Sequence, residues 1–363
     1  MRLECRRAGV VVALLPALGA LLSGGCKTGG GPAPSTPQPG PTAKSGEGPA
    51  LAPAPLTGGP AAMQEPVRVA LLVNALTPFW RSAQVGMERA AKALGIEAEF
   101  RGPDGPSSVS AQVKALEELA NKGVQGICLS PLEPKPLTEH INRLVEKGIV
   151  VLTMDSDAPE SKRYGYVGTD NVAAGRVAGE EAAKVWPNGA QVIIFVGIAG
   201  AQNAKERIGG FREVAGKHNI EVLEVLQDNA DSARCKSNAE DALQRYPDVD
   251  GFIGIWSYNA PQLARVLEEK QKLDQVKIVC FDAEPLTQEA LAQGQIEATI
   301  VQKPFDFGYL GTTMLYSLIM VQRQGGKAFL PDDAMINTGV RVITPQNIAD
   351  FRQELADLGV ESS

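Results

Sequence analysis

The sequence predicts an α/β protein in which two doubly wound parallel sheets form two lobes joined by a multi-strand hinge. Short apolar segments rich in Val and Ile recur along the chain, and each of them ends at polar residues. Amphipathic segments of helical period separate them, which is typical of βαβ units whose sheets are covered by helices on both faces. The same alternation runs through two successive stretches of chain, so we expect one sheet from each stretch.

The first stretch starts at an apolar segment, 67–73, that ends at Asn74. The helical pattern that follows stops at Gly95, a residue that favours helix C-termini, and Ser108 is expected to cap the next helix. Strands are predicted at 67–73, 96–100, 124–129 and 149–154, and helices at 79–94, 108–122 and 134–147.

The second stretch repeats this order and is followed by one further helix and strand. Helices are predicted at 171–185, 203–217, 232–245, 259–271, 286–293 and 305–324. Strands are predicted at 191–196, 220–226, 251–255, 276–281, 296–301 and 336–343.

The first 26 residues have the pattern of an export signal peptide. Three arginines precede an apolar run, 8–22, that is short for a membrane span. The segment Ser23-Gly-Gly-Cys26 resembles the lipobox of bacterial lipoproteins, with Ser23 where that family usually has Leu. This resemblance implies that Cys26 is lipidated and becomes the mature N-terminus. An uncleaved anchor helix is the alternative.

Residues 27–66 are predicted to be a disordered tether. They contain ten of the 25 prolines and eight of the 38 glycines, and they have no aromatic residue. Such a segment buries too little apolar surface to offset the entropy lost on ordering. We therefore expect it to hold the folded body away from a membrane surface.

Composition and motifs exclude several classes of protein. The formal charge of −7 argues against nucleic-acid binding, which needs a clustered basic face. The five cysteines have no zinc-site spacing, and we expect no disulfide. The two histidines, His140 and His218, lie in polar helical segments, and no phosphate-binding loop, nucleophile elbow or zinc-protease motif is present. We therefore predict no enzyme activity, no cofactor and no metal site.

Polar and aromatic side chains collect where predicted strands end. Because the carboxyl ends of parallel strands share one edge of a sheet, ligands of open α/β folds bind at that edge. The residues at these ends are Asn74, Ser130, Asp155, Trp256, Asp282 and Gln302, with Phe79 and Trp80 close to the first edge. Directional hydrogen bonds next to flat aromatic rings suit a sugar, which carries hydroxyl groups and apolar C–H faces.

The sequence also resembles the periplasmic sugar-binding proteins of the ribose-binding type, whose fold is that of type I periplasmic binding proteins. The resemblance covers about residues 67–343 and depends on the order and spacing of several segments. They are Ala70-Leu-Leu-Val, Pro78-Phe-Trp80, Val151-Leu-Thr-Met-Asp155, Gly168-Thr-Asp-Asn171, Gly197-Ile-Ala-Gly200, Ala204-Lys-Glu-Arg207, Cys280-Phe-Asp282 and Ala298-Thr-Ile-Val-Gln302.

The resemblance implies a role for each matching position. Phe79 and Trp80 are implied to sandwich the sugar, and its hydroxyls are implied to bind Asp155, Arg207, Asp282 and Gln302. The sequence departs from the ribose-binding pattern at Thr77, Ser156, Ala230 and Trp256, where that pattern has Asn, Arg, an aromatic residue and Asn. We therefore expect a monosaccharide or related polyol other than ribose.

The resemblance also implies the domain organisation and the partners. The N-terminal lobe is expected to comprise 67–169 plus 303–337, and the C-terminal lobe 170–302 plus 338–363. A monomer with these lobes is expected to close over the sugar and to deliver it to an ABC permease outside the cytoplasm, touching the membrane only through its lipid. The alternatives are a sensor that presents the sugar to a chemoreceptor or sensor kinase, and a binder of an autoinducer-type furanosyl compound.

Each candidate residue also has a purely structural interpretation. A strand-end Asp can cap a helix, Arg207 can be a surface charge, and the aromatic residues can belong to the core. Asn74 and Ser130 are types that turns favour. Asp157 and Tyr258 are further candidates for ligand contact, whereas Asp231 can equally cap the following helix.

Overall fold

The computed structural model describes residues 65–105, 107–326 and 334–360. The predicted signal peptide (1–26), the predicted lipidation site Cys26 and the predicted tether up to residue 64 lie outside the described residues, as does Cys5. The strands are β1 (Arg68–Leu72), β2 (Glu97–Arg101), β3 (Gly126–Leu129), β4 (Val150–Met154), β5 (Gly165–Gly168), β6 (Ala190–Val196), β7 (Ile220–Gln227), β8 (Gly251–Gly254), β9 (Lys277–Phe281), β10 (Ala298–Val301), β11 (Met335–Asn337) and β12 (Arg341–Ile343).

Helices separate most of these strands. They are α1 (Trp80–Leu94), α2 (Val109–Asn121), α3 (Pro134–Glu146), α4 (Asn171–Val185), α5 (Gln202–Ala215), α6 (Ser232–Arg245), α7 (Asn259–Glu269), α8 (Pro285–Ala292), α9 (Pro304–Arg323) and α10 (Ile348–Asp357). A 3₁₀ turn, Gly216–His218, follows α5. These bounds agree with the predicted elements to within about two residues at most ends.

The strands form two six-stranded sheets. The first has the order β11-β5-β4-β3-β1-β2, and the second has the order β12-β10-β9-β8-β6-β7. All pairs in the first sheet are parallel, and in the second only the β10–β12 pair is antiparallel. The expected fold class, two doubly wound parallel sheets, is therefore confirmed.

The chain passes between the two sheets three times. It leaves the first sheet after β5, returns after β10 through α9, which packs on β1, β3, β4 and β5, and leaves again after β11. These three connections lie where the multi-strand hinge is predicted.

Strand β1 shows why an uninterrupted apolar run forms a buried strand here. Val69 and Leu71 pack with the core cluster on one face of the first sheet, and Ala70 and Leu72 pack with the cluster on the other face. Because neighbouring side chains of a strand point to opposite faces, a strand covered by helices on both sides needs apolar residues throughout.

Two helix pairs approach each other at glycines. A Cβ on Gly308 of α9 would lie 1.8 Å from the carbonyl oxygen of Ala83 in α1. A Cβ on Gly175 of α4 would lie 2.2 Å from the carbonyl oxygen of Arg207 in α5. The absence of side chains at these positions lets the backbones touch, and the second pair sets the position of Arg207.

The last predicted strand, 336–343, is wrong as a single element. Met335–Asn337 pairs with β5 in the first sheet, whereas Arg341–Ile343 pairs with β10 in the second. Gly339 lies between them with a φ of 72°, a left-handed conformation that interrupts extended backbone.

Two further elements were not predicted. Strand β5 contains only Tyr166 and Val167 between two glycines, and this is too short an apolar pattern to indicate a strand. Helix α10 follows Asn347 and buries only Ile348 and Phe351.

Local predictions about caps and cysteines can be compared with the structure. The Ser108 hydroxyl accepts a hydrogen bond from the Ala111 backbone N–H, as predicted for a cap, and Asp231 caps α6 through its carboxylate. Cys128 and Cys280 are buried in strands β3 and β9, and both are free thiols. Cys235 lies near the start of α6, and it is a free thiol whose side chain is fully buried in the core cluster of the second sheet.

Candidate functional site

The carboxyl ends of the two sheets face each other across a cleft. The cavity there has about 400 Å³ of empty space, part of it open to solvent. The side chains that line it are Asn74, Ala75, Thr77, Phe79, Trp80, Asp155, Asn203, Arg207, Ala230, Trp256, Ser257, Tyr258 and Asp282. Seven of the nine residues singled out from the sequence are in this set. Ser130 and Gln302 are not in this set, but each forms a hydrogen bond with an aspartate that lines the cavity.

A buried cation occupies the centre of the cleft wall. Arg207 is only 1% exposed, and its Nη2 lies 3.6 Å from Oδ1 of Asp155 while its Nη1 lies 3.9 Å from Oδ2 of Asp282. Asp155 follows β4 of the first sheet, whereas Asp282 follows β9 of the second. One guanidinium therefore neutralises a carboxylate from each side of the cleft, and Arg207 is not a surface charge.

Neighbouring groups fix the orientation of this guanidinium. Nε of Arg207 donates to Oδ1 of Asn171 at 2.9 Å, and Nη1 donates to the carbonyl oxygen of Ile255 at 3.0 Å. The guanidinium carbon also lies 4.7 Å from the ring centroid of Phe281, a cation–π contact. These contacts hold the fork of donors in one orientation.

Each carboxylate accepts hydrogen bonds from polar side chains. Ser130 Oγ donates to Oδ2 of Asp155 at 3.1 Å, and Asn203 Nδ2 donates to the same oxygen at 3.2 Å across the cleft. Gln302 Nε2 lies 3.2 Å from Oδ1 of Asp282. Ser130 and Gln302 therefore act through the two aspartates.

Burial opposes the negative charge on both aspartates. It raises the pKa of Asp155, although Arg207 and the donors around the carboxylate counteract the shift. Burial also raises the pKa of Asp282 to about 6, with Arg207 again the main opposing influence. Polar groups held in a dry pocket interact strongly with a ligand, because little water competes for them.

Both aspartates have left-handed backbone conformations. The φ angle is 60° at Asp155 and 65° at Asp282, values that non-glycine residues rarely adopt. Neither residue caps a helix, because the next helices along the chain, α4 and α8, follow Asp170 and Glu284. The turn after each strand instead presents the carboxylate at the sheet edge, and strained backbone of this kind is concentrated at functional sites.

Two aromatic pairs form the rest of the wall. Phe79 and Trp80 meet edge to face at 4.9 Å between ring centroids, and Trp256 and Tyr258 meet at 6.4 Å. Trp80 is also part of the core, and its Nε1 donates to Oδ1 of Asn74 at 3.3 Å. Asn74 thus orients a ring at the edge of the cleft.

Several buried polar atoms at the site have no hydrogen-bond partner. They are Nη2 of Arg207, Nε1 of Trp256, Oδ1 of Asn203 and Oε1 of Gln302. An unpaired buried donor or acceptor costs about 1–3 kcal/mol, so a ligand that satisfies these atoms gains correspondingly. Because unpaired donors and unpaired acceptors occur together here, the site fits a ligand whose groups can both donate and accept hydrogen bonds.

Two side chains that hold the site together, Asn203 and Asn171, were not predicted from the sequence. Asn203 lies four residues before Arg207 on α5, and this spacing places both side chains on one face of the helix. Asn171, the first residue of α4, fixes Arg207. The i, i+4 spacing was the available indication for Asn203, whereas nothing local indicated the role of Asn171.

Two further candidates have structural partners. Asp157 forms an ion pair with Arg163 away from the cleft lining. Tyr258 lines the cleft and donates its hydroxyl hydrogen to Oδ1 of Asp228, a buried carboxylate that also accepts from Asn259 Nδ2 at 2.9 Å.

Neither a membrane-spanning helix nor a metal-binding cluster is found in the described part of the chain. No helix in it is both long enough and apolar enough to cross a membrane. It also contains no group of three or more His, Cys, Asp or Glu side chains placed to hold a metal ion.

Comparison with known proteins identifies the family. The family model of a periplasmic binding protein domain matches residues 69–323. The ribose import binding protein of Escherichia coli is 28% identical over 244 residues, which cover 67% of this chain and 81% of that protein.

Solved structures with the same fold include two sugar-binding proteins. A glucose-galactose binding protein from Geobacillus stearothermophilus is 29% identical with a TM-score of 0.73, and the match covers 78% of this chain and 99% of that one. An ABC transporter solute binding protein from Burkholderia graminis in complex with D-arabinose is 32% identical with a TM-score of 0.72, covering 78% and 96%. The two sheets, the cleft and these matches together show that the chain belongs to the periplasmic binding proteins.

Proposed function

We propose that this protein captures a monosaccharide or related polyol between its two sheets and delivers it to an ABC importer. The observation that carries the proposal is the buried Arg207, which lies between Asp155 and Asp282 at the centre of an aromatic-lined cleft. Carboxylates accept from sugar hydroxyls, the guanidinium donates to them, and the rings pack on C–H faces. The groups bind and orient a ligand, and the proposal includes no chemical step.

The composition of the walls supports a sugar other than ribose. Ala230 leaves space where the ribose-binding pattern has an aromatic ring, and Trp256 fills the position of an Asn. Nε1 of Trp256 is a single donor on a large ring, whereas Asn offers both a donor and an acceptor. We therefore expect the protein to discriminate among sugars by the number and direction of the hydroxyl groups that lie near Trp256.

We also propose an arrangement of the whole protein outside the cytoplasm. The lobes are 67–169 plus 303–337 and 170–302 plus 338–363, and they close over the ligand by motion at the three connections. Cys26 carries a lipid, the tether of 27–66 links it to the monomeric body, and a permease accepts the sugar from the closed protein. The signal-peptide pattern and the Pro-rich composition support this arrangement.

A thermal-shift screen against aldopentoses, aldohexoses, ketohexoses and polyols tests the ligand class. A sugar present at 100 times its dissociation constant is expected to add about 2.7 kcal/mol to the free energy of unfolding. If amino acids or other solutes raise the melting temperature and no sugar does, the proposed ligand class is wrong.

Growth with labelled fatty acid tests the lipid anchor. The wild-type protein is expected to carry the label, and Cys26→Ala is expected to lose it while Cys5→Ala keeps it. Equal labelling of wild type and Cys26→Ala contradicts the anchor and leaves the sugar proposal intact.

A further inference from the structure

A carboxylate behind the cleft wall binds several parts of the wall on the side of the second sheet. Asp228 follows β7, is fully buried and does not itself line the cavity. Its Oδ1 accepts hydrogen bonds from the Tyr258 hydroxyl and, at 3.0 Å, from the Ala230 backbone N–H, and its Oδ2 accepts one from Asn259 Nδ2 at 2.9 Å. Tyr258 and Ala230 both line the cavity, so one buried group holds two parts of the wall.

Asn259 extends this network to Trp256. While its Nδ2 donates to Asp228, its Oδ1 accepts a hydrogen bond from the Trp256 backbone N–H at 2.8 Å. An amide carries its acceptor on one side and its donors on the other, so the carboxylate determines which way round the Asn259 amide is held. With the amide reversed, a donor would face the donor of Trp256.

The rings of Trp256 and Tyr258 pack against the same point of the backbone. A Cβ on Gly197, the residue after β6, would lie 2.1 Å from Cε3 of Trp256 and 2.8 Å from the hydroxyl oxygen of Tyr258. The two rings also meet edge to face. Because the interior is close-packed, a change at the Tyr258 hydroxyl alters the packing of the indole ring that lines the cavity.

The turn that contains Ala230 has a strained backbone. Asn229 and Ala230 have left-handed φ angles of 59° and 60°, values that non-glycine residues rarely adopt. The Ala230 N–H donates to Asp228, and the Asn229 N–H donates to the carbonyl oxygen of Gly197 at 2.8 Å. Strain of this kind persists only where the surrounding contacts enforce it, and it is concentrated at functional sites.

A buried carboxylate is a costly group with which to hold an ordinary turn. The three donors to Asp228 are a hydroxyl and two N–H groups, none of them charged. Neutral donors offset only part of the free energy lost when a charge leaves water. What such a network provides is a fixed direction for each of its members, because every one of them is held in a dry interior.

We propose that Asp228 is a positioning residue that sets the selectivity of the cleft by fixing the Trp256 indole ring and the Ala230 turn relative to each other. The inference rests on the proposed function, because selectivity requires a sugar in this cavity. Trp256 then supplies the ring on the side of the second sheet, across the cleft from Phe79 and Trp80 of the first. Its unpaired Nε1 donates to a sugar oxygen whose direction the network determines.

Nuclear magnetic resonance on the full chain without sugar, at pH 7.5, tests the positioning. With ¹⁵N in the indole rings the three tryptophans give three N–H signals, and Trp256→Phe identifies the signal of Trp256. Tyr258→Phe removes only the hydroxyl, and Asp228→Asn places an amide nitrogen opposite the amide nitrogen of Asn259. Both substitutions are expected to shift and broaden the Trp256 signal more than the signal of Trp186, which does not line the cavity.

Tyr246→Phe is the matched control. The Tyr246 hydroxyl also donates to a carboxylate, that of Glu224, at 3.2 Å, and neither residue lines the cavity. This substitution is expected to leave the Trp256 signal in place. Circular dichroism melting shows whether each variant is folded, and if Asp228→Asn is not, the result for Tyr258→Phe decides. An unmoved Trp256 signal in a folded Asp228→Asn, or an equal movement in Tyr246→Phe, would overturn the proposal.

Calorimetry with two pairs of sugars tests the consequence for selectivity. D-Glucose and D-galactose differ in the configuration of a single carbon, as do D-ribose and D-arabinose. In the pair that the wild type binds more tightly, the ratio of the two dissociation constants is expected to change about tenfold in Tyr258→Phe and to stay the same in Tyr246→Phe. An unchanged ratio in Tyr258→Phe would show that the network does not set selectivity.

The two measurements separate this proposal from the proposed function. Because the resonance experiment contains no sugar, a failure of the sugar screen does not affect it. A moved Trp256 signal in Asp228→Asn combined with a screen in which no sugar binds would reject the proposed ligand and retain Asp228 as the residue that positions the ring.

Discussion

At the level of single residues, the cleft is organised around one guanidinium that serves both sheets. Arg207 is held by Asn171 and the Ile255 carbonyl, so its remaining donors point toward the two aspartates and the cavity. Taking three charged groups out of water is expensive, and the arrangement is tolerated because each charge has a partner. A sugar adds partners without adding charge.

Replacing Asp282 by Asn tests the contribution of one carboxylate. The substitution keeps the shape but replaces a charged acceptor by a neutral amide, so we expect sugar affinity to fall by about 10-fold to 100-fold with little change in melting temperature. Isothermal titration calorimetry with the sugar found in the screen measures this. Asp274→Asn, at an exposed position, is the matched control and is expected to bind the sugar with the affinity of the wild type. Equal affinity in the two variants would show that Asp282 does not belong to the site.

A buried carboxylate behind the aromatic wall predicts a pH dependence of stability. Burial raises the pKa of Asp228 from 3.8 to about 6. The folded chain therefore binds this proton at a higher pH than the unfolded chain does, and stability decreases as pH rises from about 4 to about 6. Asp282 contributes a pH dependence of stability with the same sign, because burial raises its pKa to about 6 as well.

Asp228→Asn is expected to make the pH dependence shallower without abolishing it. The amide oxygen can still accept from Tyr258, and Asp282 still titrates. Urea unfolding of the wild type and the variant at pH 4, 5, 6 and 7, without ligand, measures the slopes. Parallel curves would contradict the assignment of this titration to Asp228.

At the level of elements, the α4–α5 pair positions Arg207 through backbone contact. A Cβ on Gly210 of α5 would lie 2.1 Å from the carbonyl oxygen of Val172 in α4. Because this neighbour is backbone, the helices can accommodate a side chain only by moving apart. Such a movement would displace the guanidinium from the two aspartates.

Two adjacent glycines of α5 provide a matched test of this packing. Gly210→Ala is expected to destabilise the fold by about 1–3 kcal/mol through overpacking and to weaken sugar binding. Gly209→Ala meets no atom within 4 Å and removes a flexible residue from a helix, so it is expected to stabilise the fold by up to about 1 kcal/mol. Chemical denaturation compares the two, and a similar loss in both would show that helix propensity, not backbone contact, governs this position.

At the level of the whole molecule, contacts across the cleft link the two sheets. Asn203 of α5 donates to Asp155 of the first sheet, and Leu132, which follows β3, packs with the core cluster of the second sheet. Leu132 is 2% exposed in this arrangement. The proposed opening of the cleft would therefore expose apolar surface and break polar contacts, and a ligand bound to both sheets would shift the population toward closure.

We therefore expect a binding sugar to make the protein more compact. Small-angle X-ray scattering before and after addition of saturating sugar is expected to show a smaller radius of gyration for the wild type. At a sugar concentration near the wild-type dissociation constant, Asp282→Asn is expected to show a smaller decrease in the radius of gyration than the wild type. A radius that does not change in the wild type, despite binding measured by calorimetry, would contradict hinge closure.

Much of the fold was predictable because the buried strands of a parallel α/β sheet have a recognisable pattern of successive apolar residues. Residues such as Leu71 and Leu72 are apolar in succession because both faces of β1 are covered. Strand β5 and the division between β11 and β12 were not predictable in this way. Ala334 and Tyr166 lie against Gly165 and Gly168, so no larger side chain fits at these two positions. The apolar pattern of the sequence around β5 does not indicate these contacts.

The sequence by itself determined the alternation of strands and helices, and with it the strand ends where Asp155 and Asp282 stand. Local periodicity carries this information, because burial on both faces requires it. Only the tertiary structure decided that a single guanidinium serves both aspartates, that Asn171 holds it, and that Asn203 donates to Asp155 across the cleft. These partners lie far apart along the chain, and the three passages between the sheets bring them within hydrogen-bonding distance.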